Sequence, residues 1–203
     1  MSFLDNTRKP EGFGGKLMIG MMNLGHRALA RWGLSFVSPS LSAQVLDCGC
    51  GGGANVKTLL QKCPKGRVFG VDYSPVCVES ARRKNKAAIE EGRCEVAFAR
   101  VEALPFEGRS FDLVTAFETV YFWPEIEGCF REVFRVLRCG GTFLICNECG
   151  AGAKDGAWEA VVDGMRVYRA NDLKALLEQA GFCGVMVQQN NRGWLCLTAK
   201  KSG

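Results

Sequence analysis

Seven short apolar runs punctuate the chain: QVLDC (44 to 48), RVFGV (67 to 71), CEVAF (94 to 98), FDLVTAF (111 to 117), TFLIC (142 to 146), GVMVQ (184 to 188) and WLCLTA (194 to 199). The first five are separated by stretches with helical periods, and that alternation predicts an α/β fold with a parallel sheet. Ser74 is placed to cap a helix whose first residue is Pro75, where proline's fixed φ and missing N–H cost nothing. Phe130, Val133, Phe134 and Leu137 form an i, i+3, i+4, i+7 stripe, and Gly140 and Gly141 are expected to close that helix. Leu173, Leu176, Leu177 and Ala180 repeat the stripe before Gly181. Only QNNRG joins the last two runs, too little for a crossover helix, so they are predicted to form an antiparallel hairpin. Residues 14 to 34 carry no strand pattern. There Met18, Met21, Met22, Gly25 and Leu29 share one helical face, so residues 1–40 are read as an N-terminal helical segment or lid and 41–203 as the domain proper.

Composition narrows the classes. At 203 residues the chain is expected to form one domain that buries about 70% of its unfolded surface. Its 47% hydrophobic and 23% charged residues are those of a soluble globular protein, and no apolar run approaches the ~18 residues of a membrane span. MSFLDNTRKP has no apolar signal-peptide core. The net charge of +5 comes from scattered basic residues, so nucleic acid is not an expected partner. Eleven cysteines, an odd number with no signal sequence before them, suggest free thiols in a reducing compartment, hence a cytoplasmic location. Cys48-x-Cys50 and Cys146-x-x-Cys149 have metal-like spacing, but His26 is the only histidine available to complete a site, and no metal is expected.

The chemistry concentrates in VLDCGCGGGAN (45 to 55), an apolar strand that runs into a bare glycine turn before a helix. Such a turn lets a ligand approach the main chain and offers it unpaired N–H groups. Gly49, Gly51 and Ala54 satisfy the dinucleotide pattern G-x-G-x-x-G/A, and Asp72 follows 21 positions after Gly51, where a carboxylate would meet ribose hydroxyls. Asp47 argues against a dinucleotide. A carboxylate at the tip of the first strand repels a pyrophosphate but attracts the ammonium and sulfonium of S-adenosylmethionine.

VLDCGCGGGANV, VFGVDYSP, EALPFEGRSFDLVTAFETVYFWP and FREVFRVLRCGGTFLI resemble, in order and spacing, the motifs of class I S-adenosylmethionine-dependent methyltransferases, over about residues 42 to 199. The chain is most similar to the small single-domain type that includes the ubiquinone/menaquinone-biosynthesis methyltransferases. The resemblance implies a Rossmann-like seven-stranded sheet with a C-terminal antiparallel hairpin, S-adenosyl-L-methionine as cofactor, S-adenosyl-L-homocysteine as product and a small-molecule methyl acceptor. It implies that Asp47, Gly49 and Gly51 hold the methionine end, Asp72 the ribose and Tyr73 the adenine side, with Phe117 also at the cofactor. Where many relatives have an acid before the LPF segment, this chain reads ARVEALPF, so Val101 packing on the adenine or Glu102 replacing the acid are the alternatives.

Transfer from a sulfonium needs alignment above all. A base, if used, is sought among Glu118 and Tyr121 after the fourth strand, and His26 in the N-terminal segment. A homodimer is left open. Two rival functions stand beside the enzyme: an NAD(P)-dependent oxidoreductase and a non-catalytic S-adenosylmethionine-binding module.

Overall fold

The computed structural model describes residues 27–150, 159, 162 and 164–203. Seven strands form one sheet: β1 Gln44–Cys48, β2 Arg67–Asp72, β3 Cys94–Phe98, β4 Phe111–Phe117, β5 Leu137–Asn147, β6 Phe182–Gln189 and β7 Leu195–Lys201. Their spatial order is β3-β2-β1-β4-β5-β7-β6. β1 to β5 pair in parallel, and β7 runs antiparallel to both β5 and β6. The parallel strands and the antiparallel C-terminal hairpin are those the runs predict, and the seven-stranded Rossmann-like sheet is the one the resemblance implies. The helices are α1 Arg27–Gly33, α2 Ala54–Lys62, α3 Pro75–Lys84, α4 Lys86–Glu90, α5 Ile126–Val136 and α6 Ala170–Gln179. Of the expected lid, only α1 and the short 3-10 turn after it, Leu34–Phe36, fall within the described residues. Met18, Met21, Met22 and His26 lie outside them. No helix among the described residues is long and apolar enough to cross a membrane.

Both faces of the sheet are covered, so the central strands are apolar on both sides, as parallel strands require. Alternation sends Leu46, Val114 and Ile145 to a core shared with Phe130 and Val133 of α5 and Leu173 of α6. Val45, Leu113 and Leu144 go to the opposite core, with Leu29 of α1, Val56 and Leu59 of α2, and Val78 of α3. Phe130 and Phe143 are fully buried and meet edge to face at 5.7 Å. Burying each such side chain contributes roughly 1.5–3 kcal/mol. At the amino ends of the strands, Arg138 grips Asp112 with two bonds of 2.8 and 2.7 Å, and the Gln44 N–H donates to the same carboxylate at 2.7 Å. One carboxylate thus ties β1, β4 and β5 together.

The helix ends follow their local chemistry. Ser74 caps α3 by accepting from the Cys77 N–H, with Pro75 in the first turn. Gly181 follows α6 in the left-handed region. The expectation for Gly140 and Gly141 is corrected. α5 stops at Val136, Leu137 is already extended, and both glycines lie inside β5. They form a bulge, because Phe111 pairs with Leu137 while Leu113 pairs with Thr142. Gly140 takes φ +77, and a Cβ on Gly141 would come within 2.8 Å of the Arg138 carbonyl.

The end of α5 is held by a side chain from the last strand. Lys201 Nζ donates to the carbonyls of Phe134 at 2.7 Å and Leu137 at 2.9 Å, and it lies 4.6 Å from the centroid of the Phe134 ring. These are carbonyls that a helix C-terminus leaves without partners, at its negative end. Lys201→Met keeps the stem and removes the donor. It is expected to destabilise the fold by about 1–3 kcal/mol, the cost of leaving buried carbonyls unpaired, read as a lower urea midpoint at unchanged slope. An unchanged midpoint would show that the contact contributes nothing.

Candidate active site

The strand order reverses between β1 and β4, since the chain steps outward through β2 and β3 before returning to β4. In an open α/β sheet, ligands bind outside the carboxyl ends of the strands at such a point. The residues found there are lined up by the loops that follow β1, β2, β3 and β4. Gly49, Val71, Asp72, Tyr73, Ala99, Arg100, Val101, Glu102, Thr119, Phe122, Trp123 and Pro124 border a cleft with about 590 Å³ of atom-free space, part of it open to solvent.

The glycine turn is shaped by main-chain bonds. The N–H groups of Gly49 and Cys50 both donate to the Val71 carbonyl, at 2.8 and 2.9 Å. Gly49 has φ +72, and a Cβ there would lie 2.1 Å from Thr119 Oγ1, so β1 and β4 can close this far only if residue 49 has no side chain. Gly51 has φ +50 with open space where its Cβ would be, which leaves bare main chain facing outward. Asn85 pins the base of the turn by donating to the carbonyls of Gly53 at 3.1 Å and Ala81 at 2.9 Å.

Asp72 lines the cleft and also builds it. Its Oδ2 accepts from the Gly51 N–H and its Oδ1 from the Ser74 N–H, each at 2.9 Å. Burial raises its pKa, and these N–H bonds pull the other way. Of the predicted motif residues Gly49 borders the cleft, whereas Gly51 and Asp47 do not, and Asp47 is turned inward. It is 1% exposed and lies against β4, where Thr115 Oγ1 donates to its Oδ1 at 2.7 Å. Its Oδ2 is buried with no hydrogen-bond partner. Burial pushes this carboxyl up to about 7, with the Asp72 charge adding to the rise and the Thr115 bond opposing it.

Of the other expected cofactor residues, Tyr73, Val101 and Glu102 border the cleft and Phe117 does not. Phe117 belongs to the core on the α1 face, and Gly33 of α1 sits so close that an added Cβ would lie 3.1 Å from its ring. Glu102 pairs with Arg100 at 2.5 Å, so the arginine that stands near the missing acid carries a carboxylate with it. Thr119, Phe122 and Trp123 complete the wall. Trp123 Nε1 donates to Thr119 Oγ1 at 3.2 Å, and its ring stacks on Phe143 at 6.2 Å, which fixes the indole at the cleft edge. The sequence gave Thr119 no role; the missing signal was its opposition to Gly49 across two strands.

The half-buried Glu118 and the buried Tyr121 form a cluster next to this wall. Glu118 is held at φ 58, directly before Thr119. Its Oε1 accepts from the Glu148 N–H and from the Tyr121 hydroxyl, the latter at 3.3 Å, and the Cys149 N–H donates to Tyr121 Oη at 2.9 Å. Burial pushes the Glu118 carboxyl up to about 8, and the Glu148 charge adds to it. All eleven cysteines are free thiols, and no group of three potential ligands for a metal occurs among the described residues.

Residues 46–145 match the family described as methyltransferase domain. A candidate methyltransferase of Bacillus subtilis (strain 168), YrhH, is 28% identical over 71% of this chain and 78% of its own. A demethylmenaquinone methyltransferase of Roseiflexus castenholzii is 33% identical over 64% of this chain, which spans about half (53%) of that relative. Phosphoethanolamine N-methyltransferase 2 of Haemonchus contortus, solved with S-adenosylhomocysteine and phosphomonomethylethanolamine, shares the fold with a TM-score of 0.81 at 16% identity, over 100% of this chain and 61% of that one. Fold and matches together define a methyltransferase domain. The chain is a class I S-adenosylmethionine-dependent methyltransferase, and S-adenosylmethionine is the cofactor of that family.

The residues present fit that cofactor. The turn exposes main chain at Gly51, the cleft carries a carboxylate on β2, and a buried carboxyl oxygen on β1 has no partner. A pH dependence follows from Asp47. The folded protein keeps its proton up to about pH 7, whereas an unfolded chain releases it near about 3.9. Between those values the folded state binds more protons, so this group makes stability fall as pH rises through the window. Asp47→Asn is therefore expected to raise the thermal midpoint of the ligand-free protein at pH 8 more than at pH 5. It should also weaken S-adenosylmethionine, which carries a sulfonium, more than S-adenosylhomocysteine. Equal shifts at both pH values, or equal losses for both ligands, would contradict this reading of the buried charge.

Proposed function

We propose that the protein transfers the methyl group of S-adenosylmethionine to a small-molecule acceptor. The observation that carries this is the cleft at the β1/β4 switch point, walled by the glycine turn, Asp72 and Tyr73 on one side and by Thr119 and Trp123 on the other. Two of the proteins it resembles, the demethylmenaquinone and phosphoethanolamine enzymes, are named for small acceptors. Eleven free cysteines, most of them buried, support the cytoplasm as its location.

When bound, the cofactor supplies a methyl group on a positively charged sulfur, whose neutral thioether is the leaving group. The acceptor would take that methyl group as the thioether leaves, and its proton would have to pass to a residue of this chain. In this proposal Asp72 holds the ribose while keeping Gly51 and Ser74 in place, and Tyr73 and Val101 flank the adenine, with Glu102 at its edge. Asp47 contributes negative charge from beneath the turn. At 1% exposure that charge is little screened by solvent.

Glu118 is the proposed proton acceptor. It directly precedes the residue that closes on Gly49, and its carboxyl is pushed up to about 8. Tyr121 orients it through the bond to Oε1. His26, with the segment 1–40 as a lid, remains a second candidate for the same role.

Two measurements test the proposal. Calorimetric titration with S-adenosylhomocysteine should show binding and titration with NAD none. Tritiated methyl from S-adenosylmethionine should then appear in a small-molecule product. Binding of NAD in place of S-adenosylhomocysteine would replace the proposal with an oxidoreductase, and cofactor binding without turnover of any metabolite would leave a binding module. With the acceptor in hand, the wild-type rate should rise with pH through about 8, as Glu118 loses its proton. Glu118→Gln should remove that rise and slow transfer by about 10²-fold or more at unchanged S-adenosylhomocysteine affinity. A persistent rise in Glu118→Gln that disappears in His26→Ala would move the role to His26.

A further inference from the structure

A second cavity adjoins the cofactor cleft, and Trp123 borders both. It has about 710 Å³ of atom-free space, part of it open to solvent. Its floor is the buried Tyr121, Trp123, Ile126 and Tyr168, and its rim is the exposed Glu125, Glu127 and Arg166. These come from the turn after β4, the start of α5 and the chain just before α6. Two contacts anchor the arginine: its N–H donates to the Tyr121 carbonyl at 2.9 Å, and its guanidinium lies 5.0 Å from the centroid of the Tyr168 ring.

The rim has both signs of charge around one space. Opposite charges on long side chains ordinarily close onto each other when they can reach, as Arg138 and Asp112 do elsewhere in this fold. Among the described residues, no ion pair joins Arg166 to Glu125 or Glu127. The guanidinium stays with Tyr168, to which it also hydrogen-bonds through its side chain, and its remaining donors suit a planar anion. The two carboxylates stand beside aromatic walls, the surroundings that suit an ammonium.

We infer that this cavity is the acceptor pocket and that it takes a small zwitterion, with its carboxylate or phosphate at Arg166 and its ammonium at Glu125 and Glu127. The inference rests on the methyl-transfer reading and adds the class of acceptor. Sharing Trp123 between the two spaces puts such a molecule next to the bound cofactor. The charged rim fixes which end enters.

The test uses protein saturated with S-adenosylhomocysteine. It is titrated with O-phosphoethanolamine and 4-aminobutyrate, which carry phosphate and carboxylate respectively, and with ethanolamine, inorganic phosphate and the neutral 1,4-dihydroxynaphthalene. At least one zwitterion should bind about tenfold or more tighter than either single-charge probe, since each charge-assisted contact contributes on that order. The better of the two zwitterions identifies the anionic group. Arg166→Gln and Glu127→Gln should each remove the preference while S-adenosylhomocysteine affinity stays as it was. Strongest binding by the neutral naphthalenediol, no preference for a zwitterion, or a preference that survives both substitutions would overturn the inference. If S-adenosylhomocysteine itself fails to bind, the methyltransferase reading falls first and takes this one with it.

Discussion

The candidate site is built on the close approach between the ends of β1 and β4. Asp47 and Thr115 are the last register partners across that seam and bond through their side chains, which holds β1 to β4 one residue before β1 ends. Just beyond, the turn at Gly49 meets Thr119 with no room for a Cβ. Everything around the cleft is arranged relative to this seam. Thr119 holds Trp123, the indole stacks on Phe143 of β5, and Asp72 of β2 takes the Gly51 and Ser74 N–H groups. A side chain at residue 49 would force the strands apart, and the wall of the site would move with them.

Much of this was legible because the sheet is central and covered on both faces. Buried parallel strands have to be apolar runs, and the runs at 44 to 48, 94 to 98 and 111 to 117 coincide with β1, β3 and β4 to the residue. The start of β5 was not legible. A helical stripe ending before two glycines reads as a capped helix, yet the chain turns extended at Leu137, and the glycines are needed where β5 bulges against Phe111. Local sequence cannot separate these cases, because both require left-handed backbone at residue 140. Lys201 is a similar case: its partners are carbonyls more than sixty residues away, and nothing near it marks them.

The site was legible in its loops and less so in its side-chain directions. Gly49 and Tyr73 follow strands whose ends define the candidate cleft and Asp72 ends one of them, so their place depended only on finding the strands. Phe117 is the last residue of β4, and strict alternation carries it to the α1 face instead. Glu118 leaves the strand through a left-handed backbone, which turns its side chain across to Glu148. A period of two fixes faces within a strand and says nothing about the first residue beyond it. The pairing of Arg166 with Tyr168 was out of reach for the same reason, since residues 165–169 belong to no periodic element.

The carboxyls at the two ends of the sheet are managed in opposite ways. At the amino ends, Asp112 is satisfied by Arg138 and by the Gln44 N–H, and it stays partly exposed. At the carboxyl ends, Asp47 and Asp72 are both buried and neither forms an ion pair among the described residues. Each raises the cost of ionising the other, as the Asp72 contribution to Asp47 shows. Burying two acids without a cation is a poor way to stabilise a fold, because removing either charge from water costs more than hydrogen bonds return. It is a good way to bind a cation, since an arriving positive charge gains from both carboxylates in surroundings that screen little. On the proposed reading the fold gives up stability at the end of the sheet that would hold the cofactor, and its paired carboxylate, Asp112 with Arg138, sits at the other end.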